Sequence, residues 1–361
     1  MSMKLTALSL HNFRNFPSYE LVPSEGTTIL VGNNAVGKTN LVEAMQLLTA
    51  GLSFRKPKTD ELVRVGELSG KISARIEGDQ RRVDVACEIK DSHRRFSRQN
   101  KACKASDIPG TLPSVLFCPD DLNMIKRSPS YRREALDGFG VQLNRQYASL
   151  ISTYEKAIVQ RNALLKDPSL SQDVLAAWDV SLCSVGAALV MHRLALLKRI
   201  SHHLKEVYSY LAPLEHVDVV YESTLGELEG CNKEEIATRM QSMLQASLSD
   251  DMRRGTTSVG PHRDELVFSI NGFNARAFAS QGQQRSIVLA WKIAEVKVTQ
   301  DILGCYPLLL LDDVMSELDE IRRNAMMNFV GTDIQTIVTT TNLGYFSAEI
   351  LDLAKVVQVN G

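Results

Sequence analysis

The sequence predicts a mixed α/β fold that is assembled from both ends of the chain, with a helical lobe inserted between them. The first ~120 residues alternate as strands do and carry one strong helical pattern. From about residue 137 to about residue 211 the pattern is helical and glycine is scarce. After Gly255 strand and helix patterns alternate again, so the two mixed segments are expected to build one body together.

The N-terminal segment contains a short buried strand and, directly after it, a helix. The β-branched run from Thr27 to Val31 ends at Gly32 and predicts the strand. Beyond Lys38 the apolar residues follow helical spacing, at Leu41, Ala44, Met45 and Leu48. From Val83 to Ile89 apolar residues alternate with polar ones, which predicts a strand with one wet face.

The rest of the chain supplies further helices and strands. A turn is expected at Asp167-Pro168 between two helices, and another helix over 234–248. Alternation up to Asn271-Gly272 predicts a hairpin, and a helix is expected to start near Gly282. Further strands are predicted at Pro307–Leu311, Ile334–Thr339 and Val356–Val359.

The composition excludes several classes of protein. With 361 residues, 44% hydrophobic and 23% charged, the chain is no disordered tail, collagen or coiled-coil rod. A formal charge of −1 means that any nucleic-acid contact must come from a local patch. Six cysteines without a C-x-x-C pair favour a reducing cytosol. No apolar run approaches the ~18 residues of a membrane span, and no secretion signal is evident, so a cytoplasmic protein without membrane contact is expected.

The segment Gly32-Asn33-Asn34-Ala35-Val36-Gly37-Lys38-Thr39 fits the phosphate-loop pattern G-x-x-x-x-G-K-[ST]. Its glycines let the backbone curl so that N–H groups face a phosphate, and the following helix adds its positive end. Lys38 is expected to reach the β- and γ-phosphate oxygens of ATP, and the Thr39 hydroxyl to bind Mg²⁺. A strand is predicted before the loop and a helix after it, as this pattern requires. This context favours a phosphate loop over a chance match.

A second motif is the apolar run Leu308–Leu311, which ends in two carboxylates. Alone it could be a strand with a polar turn. Together with a phosphate loop it indicates the acidic strand of a P-loop ATPase. Asp312 is expected to hold Mg²⁺ through water and Asp313 to polarise the attacking water. Because Asp is one methylene shorter than Glu, we expect slow hydrolysis.

The segment from Ser280 to Arg285 precedes a predicted helix, where Ser280 could simply be an N-cap. The S-x-G-Q pattern, followed by strand-Asp-Asp, is however the arrangement of ABC-type ATPases. In that class the motif caps a nucleotide held by a second subunit. Ser280, Gly282 and Gln283 are then expected at the γ-phosphate of the partner. Asp319 lies in the loop Ser316–Asp319, which matches the loop that crosses between subunits.

Ser280 lies 242 positions after Lys38, which leaves room for a helical insertion, but the intervening chain holds no sustained heptads. The insertion therefore resembles that of chromosome-maintenance ATPases without their long coiled coils. Several strings together resemble the RecF family of bacterial recombination-mediator ATPases: Leu10–Phe16, Gly32–Thr39, Phe117–Leu122, Gly260–Asp264, Gln281–Arg285 and Leu309–Asp319. They span nearly the whole chain in the order expected for that family.

The resemblance implies an α/β P-loop ABC-type ATPase head, formed by 1–122 and 252–361, with the helical lobe at 123–251. It implies a weak ATPase that uses ATP and Mg²⁺ as a switch and dimerises on ATP. It also implies binding to duplex DNA at single-strand gaps, in recombinational gap repair and replication restart. RecR and RecO are the implied partners in loading the recombinase RecA.

The resemblance also carries residue roles. Arg14 and Asn15 match a position that contacts nucleotide phosphate in related heads. The string Phe117–Leu122 lies where transporters place a Mg²⁺-binding Gln, but it contains no Gln. Thr339-Thr340-Thr341 ends a strand where other ABC ATPases carry a switch histidine, so the γ-phosphate sensor is unassigned.

Two basic clusters are candidates for DNA contact. Between Ser53 and Lys104 there are 14 Lys or Arg against 8 Asp or Glu. The densest part is Arg94, Arg95, Arg98, Lys101 and Lys104, and the second cluster is Lys126, Arg127, Arg132 and Arg133. Such residues would bind the phosphate backbone without reading sequence, although either cluster could be a solvated surface.

Two other functions are weighed against this interpretation. An ABC transporter ATPase subunit is disfavoured by the long insertion and the missing switch histidine. A nuclease-linked ATPase would need a separate metal-binding acidic cluster, for which the chain has no spare length. His262, between Pro261 and Arg263, is expected to be structural, or to orient Arg263 near the phosphate site.

Overall fold

The structure is a computed structural model that describes residues 3–167, 172–331 and 333–360. Its contacts divide the chain into two units. Unit 1 comprises Met1–Asn123, Glu206–Leu214 and Gln281–Gly361, and unit 2 comprises Met124–Lys205 and Glu215–Ser280. The expected turn at Asp167-Pro168 includes Pro168, which lies outside the described residues.

The described residues contain the strands β1 (Lys4–Phe13), β2 (Phe16–Leu21), β3 (Thr27–Val31), β4 (Ser69–Gly78), β5 (Arg81–Lys90), β6 (His93–Arg98), β7 (Lys101–Cys103), β8 (Ser114–Phe117), β9 (Val217–Glu222), β10 (Glu265–Ile270), β11 (Phe273–Asn274), β12 (Leu308–Asp312), β13 (Thr336–Thr340) and β14 (Lys355–Gln358). The α-helices are α1 (Lys38–Ala50), α2 (Pro129–Leu143), α3 (Arg145–Leu164), α4 (Gln172–Leu211), α5 (Lys233–Ala246), α6 (Leu248–Arg254), α7 (Ala275–Phe278), α8 (Gln281–Leu303), α9 (Glu320–Val330) and α10 (Ala348–Leu353).

Unit 1 contains two sheets. The first is antiparallel, with the strand order β2-β1-β4-β5-β6-β7. The second is parallel, with the order β14-β3-β13-β12-β8. Its central strands are buried on both faces, as in a covered parallel sheet, and β12 and β13 are buried along their whole length. The predicted strands at 27–31, 307–311, 334–339 and 356–359 are confirmed as members of this sheet.

Helix α1 packs between these two sheets. It contacts β4 and β5 of the first sheet and β8, β12 and β13 of the second. Every residue from Leu41 to Ala50 is buried, because a helix covered on all sides has no face left for water. The helical spacing of apolar residues in the sequence predicted burial for only one face of this helix. Leu41, Leu47 and Leu48 belong to the same hydrophobic cluster as residues of both sheets.

Unit 2 is mainly helical, but it also contains a three-stranded antiparallel sheet in the order β11-β10-β9. The predicted hairpin at Asn271-Gly272 joins β10 to β11. Because β10 pairs along its length with β9, residues 265–270 group with the helical unit. The first boundary lies between Asn123 and Met124, where we expected one after residue 122, and Glu206–Leu214, expected in the lobe, groups with unit 1. The second lies after Ser280, whereas we expected it before residue 252.

Helix α4 contradicts the expectation that no segment is long and apolar enough to span a membrane. By length and composition alone it could cross a membrane, with a mean hydropathy of 1.9 in its most apolar window. Part of its apolar surface nevertheless packs in the core of unit 2, where Leu182, Ala187 and Val190 are buried, although Val180 is exposed. Arg193 of the same helix is also buried and forms an ion pair with Asp137 of α2 at 2.7 Å. These contacts show that α4 contributes to a protein core.

Candidate nucleotide site

The predicted phosphate loop joins β3 to α1, as the sequence indicated. Gly37 has φ of 107°, and a Cβ there would lie 2.6 Å from Oδ1 of Asn15. A Cβ on Gly32 would lie 2.6 Å from the carbonyl oxygen of Val359. Both positions therefore require glycine. Since α1 begins at Lys38, the first N–H groups of the helix have no intrahelical acceptor and are available to an anion.

Lys38 is buried beside the loop that it follows. Its Nζ donates to the carbonyl oxygens of Gly32 (2.7 Å) and Asn33 (2.8 Å). Burial lowers the pKa of this amine, and the nearby charges of Asp313 and Asp312 oppose the change. The lysine thus lies with both acidic residues at the carboxyl edge of the parallel sheet, where ligands bind in open α/β sheets.

Asp312 ends β12 and is 3% exposed. Oδ1 of Asp312 accepts a hydrogen bond from the Thr339 hydroxyl at 2.8 Å, and the Thr39 hydroxyl also donates to this carboxylate. Burial raises the pKa of Asp312, whereas the two hydrogen bonds and the charge of Arg55 oppose that rise. A carboxylate beside a hydroxyl is a pair of oxygen donors that fits Mg²⁺ held jointly with a phosphate.

Asp313 follows in the left-handed region, with φ of 53°. Its N–H donates to the Thr339 hydroxyl at 2.9 Å. Burial raises the pKa of its carboxyl, Lys38 opposes this, and the charge of Glu317 adds to it. The structure therefore brings four of the predicted residues together: Lys38, Thr39, Asp312 and Asp313.

The prediction that Arg14 contacts a phosphate is not supported by the structure. Its Nε and Nη2 donate to the two carboxylate oxygens of Glu43 at 2.9 and 2.8 Å, and Nη1 donates to the Glu61 carbonyl oxygen at 2.7 Å. All three nitrogens are engaged within the protein. Asn15 does lie at the loop, where its Nδ2 donates to the carbonyl oxygen of Val36 at 2.9 Å.

Sequence reasoning missed Arg55, which lies in the chain just after α1. Its Nη1 donates to Oδ1 of Asn40 at 2.7 Å and lies 3.6 Å from the Glu43 carboxylate. Its charge also acts on Asp312. Arg55 was counted among the basic residues after Ser53. That group was interpreted as a candidate for DNA contact and not as a neighbour of the acidic strand.

The S-x-G-Q segment occurs where α8 begins, so the predicted helix start near Gly282 is confirmed. Arg322 of α9, which the sequence did not single out, donates from Nη2 to the Gly282 carbonyl oxygen (2.8 Å) and from Nε to the Ser286 hydroxyl (2.9 Å). Its Nη1 also donates to Asp319. Asp319 in turn caps α9 by accepting the N–H of Arg322 at 2.9 Å. One arginine thus ties the start of α8 to the loop before α9.

The first basic cluster is divided between two faces of its sheet, because neighbouring residues of a strand point in opposite directions. Arg94 and Arg98 share a face with the buried Phe96, and Lys101 lies opposite Arg98 on the same face. Arg95 is on the other face, opposite Glu88. Arg94, Arg95 and Lys101 are exposed, and Arg98 is half-buried.

In the second cluster, the assignment of Arg132 to DNA is wrong. Arg132 is 3% exposed, and its guanidinium donates to three carbonyl oxygens before α2 and to the Glu265 carboxylate. Arg133 is half-buried and donates to the carbonyl oxygen of Asp264 at 2.6 Å. Lys126 and Arg127 are exposed, and the Arg127 guanidinium lies over the Tyr131 ring.

A strand, a glycine-bounded phosphate loop, a helix and an adjacent acidic strand define the class: a P-loop nucleotide-binding protein with an inserted helical unit. The family model described as "RecF/RecN/SMC N terminal domain" matches residues 4–360. Two curated proteins called "DNA replication and repair protein RecF" are similar to nearly the whole chain. The protein of Cyanothece sp. is 37% identical over 99% of this chain and 97% of its own length. That of Gloeobacter violaceus is 35% identical over the same shares. The chain belongs to the RecF family.

Solved structures agree with this assignment. A structure of the recombination mediator protein RecF-ATP in the RecFOR pathway is 30% identical, with a TM-score of 0.89 over 96% of this chain and 94% of that one. The Smc head domain of Pyrococcus furiosus, 15% identical, has a TM-score of 0.56 over 99% of this chain and 94% of that one, and shares the fold alone. The α/β head with a helical insertion is therefore confirmed, and a transporter subunit is no longer a competing interpretation.

Proposed function

We propose that this protein is an ATP-dependent DNA-binding protein of recombinational gap repair and replication restart. The observation that carries the proposal is the meeting of Lys38, Thr39 and Asp312 at the carboxyl edge of the parallel sheet. The relatives named for DNA replication and repair, and the ATP-containing RecF structure, support it. With RecO and RecR as partners, the protein would bind duplex DNA at single-strand gaps and help to load RecA.

In this proposal the loop from Gly32 to Thr39 binds the phosphates of ATP through its N–H groups. Lys38 exchanges its two carbonyl acceptors for phosphate oxygens, which carry more negative charge. Thr39 and Asp312 would hold Mg²⁺, which neutralises developing charge on the phosphates. Asp313 would orient the attacking water, and its short side chain is consistent with slow hydrolysis.

The second half of the site would come from another copy of the chain. Ser280, Gly282, Gln283 and Asp319 would cap the nucleotide bound by the partner, so that ATP favours the dimer. A ligand can shift this equilibrium only by its preference for the dimer, and hydrolysis removes that preference. The protein would thus be a cytoplasmic ATP-gated switch in which DNA is released when the dimer opens.

The test is binding of a labelled gapped duplex at one moderate salt concentration, with and without ATP. We expect strong ATP dependence in the wild type. Lys38→Ala should lose ATP binding, dimerisation and DNA retention together. Asp313→Asn, the matched control, should keep ATP binding and DNA retention but turn over ATP far more slowly, because the loop and Lys38 are intact.

Three results would contradict the proposal. Equal DNA binding with and without ATP would show that the basic clusters act without the nucleotide. Normal ATP-dependent dimerisation of Lys38→Ala would remove the role of Lys38. Metal-dependent cutting of DNA by the pure protein would favour the nuclease-linked alternative.

A further inference from the structure

Thr339 is the side chain that joins the two acidic residues of the candidate site. It is fully buried near the carboxyl end of β13 and lies opposite Asp312 in the parallel register. Its hydroxyl donates to Oδ1 of Asp312 at 2.8 Å and accepts the N–H of Asp313 at 2.9 Å. A single oxygen atom therefore contacts both acidic residues.

The directions of these two hydrogen bonds are determined by chemistry. A hydroxyl has one proton to donate, and a backbone N–H can only donate. Because the Asp313 N–H points at the Thr339 oxygen, the hydroxyl proton is left for the Asp312 carboxylate. The rotation of the hydroxyl and the orientation of the carboxylate are thereby coupled to the backbone of Asp313.

The backbone of Asp313 needs such support. Its φ of 53° lies in the left-handed region, which costs a non-glycine residue free energy unless its surroundings hold it there. The hydrogen bond to Thr339 is one such constraint. It keeps the carboxylate of Asp313 on the side of the strand where Lys38 lies.

The other threonines of β13 do not share this arrangement. The Thr336 hydroxyl donates at 3.1 Å to the carbonyl oxygen of Ile334, which lies just before the strand. The Thr340 hydroxyl donates to the carbonyl oxygen of Asn342 at 3.1 Å, in the turn that follows. Thr336 is as fully buried as Thr339 and is therefore a matched control.

We propose that Thr339 is a positioning residue that holds Asp312 and Asp313 in their working orientations through its one hydroxyl. The inference rests on the proposed function, in which these residues serve Mg²⁺ and the attacking water. Thr339 itself would touch neither the nucleotide nor the metal. Its effect is expected on the Mg²⁺ dependence and rate of turnover, and not on the binding of the nucleotide to the phosphate loop.

The experiment compares Thr339→Val, Thr339→Ser and Thr336→Val in the full-length protein. Valine keeps the shape and strand preference of threonine but removes the hydroxyl. For Thr339→Val we expect ATP binding in EDTA to be unchanged and kcat to fall by roughly tenfold to a hundredfold, since hydrogen bonds to charged groups are lost. The Mg²⁺ concentration for half-maximal turnover should rise. Thr339→Ser, which keeps the hydroxyl, should stay within about threefold of wild type, and Thr336→Val should match wild type.

Wild-type turnover and Mg²⁺ dependence in Thr339→Val would overturn the inference and leave the proposed function standing. An equal loss in Thr336→Val would also overturn it, because any buried hydroxyl of the strand would then serve. Absence of Mg²⁺-dependent turnover in the wild type would overturn the proposed function itself. If thermal melting shows that Thr339→Val does not fold, Thr339→Ala removes the same hydroxyl with less bulk and is interpreted in the same way.

Discussion

Glu43 is a buried carboxylate that determines the contacts of neighbouring basic side chains. Its side chain, on the buried helix α1, is 0% exposed. It accepts two hydrogen bonds from Arg14 and one from the Ser53 hydroxyl at 2.5 Å, with Arg55 at 3.6 Å. A carboxylate taken out of water must be paired, and breaking such a pair costs several kcal/mol, about 3–5. Arg14 is therefore held by Glu43, which a motif comparison does not reveal.

His262 belongs to the string Gly260–Asp264, and its position supports the structural interpretation. Its Nδ1 lies 2.8 Å from the Tyr154 hydroxyl and its Nε2 lies 3.0 Å from the carbonyl oxygen of Thr257. The carbonyl contact requires a proton on Nε2, so the Tyr154 hydroxyl donates to Nδ1 in the neutral ring. Burial lowers the pKa of His262 to about 4, and the charges of Arg263, Arg133 and Arg193 act in the same direction.

This shift predicts a pH-dependent stability of unit 2. Between the ordinary pKa near 6.5 and about 4, the unfolded chain binds a proton that folded His262 does not. The free energy of unfolding should therefore fall as the pH falls through this window, by up to about 3 kcal/mol from this residue. Urea unfolding at about pH 7 and about pH 4.5 measures it.

The control for this prediction is His262→Gln, which cannot take up a proton. Its stability at neutral pH can be lower than that of the wild type, but the part of the pH dependence that belongs to residue 262 should vanish. An identical loss of stability on acidification in the two proteins would assign the effect to other groups, such as buried carboxylates.

At the scale of elements, a contact with α9 holds the start of α8, which the local sequence already predicts. The guanidinium of Arg322 reaches the Gly282 carbonyl oxygen, the Ser286 hydroxyl and the Asp319 carboxylate at once. A planar fork can satisfy several acceptors in fixed directions, which a lysine cannot. The segment that would cap the partner's nucleotide and the loop that would cross to the partner are therefore joined by one side chain.

We expect Arg322→Met to keep ATP binding to the monomer, since the phosphate loop is untouched. ATP-dependent dimerisation should weaken by roughly tenfold or more, because hydrogen bonds made by a charged group are worth about 1.5–3 kcal/mol. Sedimentation with and without ATP measures this. Arg253→Met, which breaks an exposed ion pair with Asp250, serves as a control and should dimerise normally. Unchanged dimerisation of Arg322→Met would contradict the proposed coupling.

Strand β6 separates two neighbouring arginines onto opposite faces of its sheet. Arg94 and Arg95 are neighbours in the sequence, but the strand directs them to opposite faces of the sheet. Arg95 lies opposite Glu88, which offsets its charge, whereas Arg94 shares its face with Arg98 and Lys101. A single basic cluster in the sequence is therefore divided between the core-facing side of the sheet, which holds the buried Phe96, and the solvent face, which holds Arg95.

For the whole molecule, this division predicts how DNA binding depends on salt. The face of the sheet that holds Arg94 also holds the buried Phe96, so a duplex can lie only against the other face, which holds Arg95. We expect Arg95→Glu to lower affinity and to reduce the slope of log affinity against log salt by about 1, because a phosphate contact is lost. Arg94→Glu should leave the slope unchanged. Binding of a gapped duplex with ATP over a series of salt concentrations measures both variants.

Equal effects of the two substitutions would show that charge acts at a distance and not through contacts on one face. No effect of either would remove this cluster from the DNA-binding surface and leave the exposed Lys126 and Arg127 as candidates. Arg132 is unsuitable for such a test, since its buried guanidinium pairs with Glu265 and its removal would destabilise unit 2.

The phosphate loop, the acidic strand and the start of α8 could all be predicted from the sequence. Each of these depends on residues that are close together in the chain, such as Gly37 beside Lys38 or the apolar run before Asp312. Local backbone geometry and burial on both faces of a strand leave direct marks in such short segments. The short sequence segments that resemble the RecF family are also local, and they predicted the fold and the family that the structure and its relatives show.

Which side chains can contact a ligand became clear from the three-dimensional contacts and not from the sequence. Thr339 meets Asp312 across two parallel strands, and Arg132 pairs with Glu265 from far along the chain. The second boundary between the units likewise depends on the pairing of β9 with β10. The physical reason is that burial and ion pairing are settled between residues remote in sequence. A basic or polar residue therefore carries the same local signal whether it faces water, a ligand or a buried carboxylate.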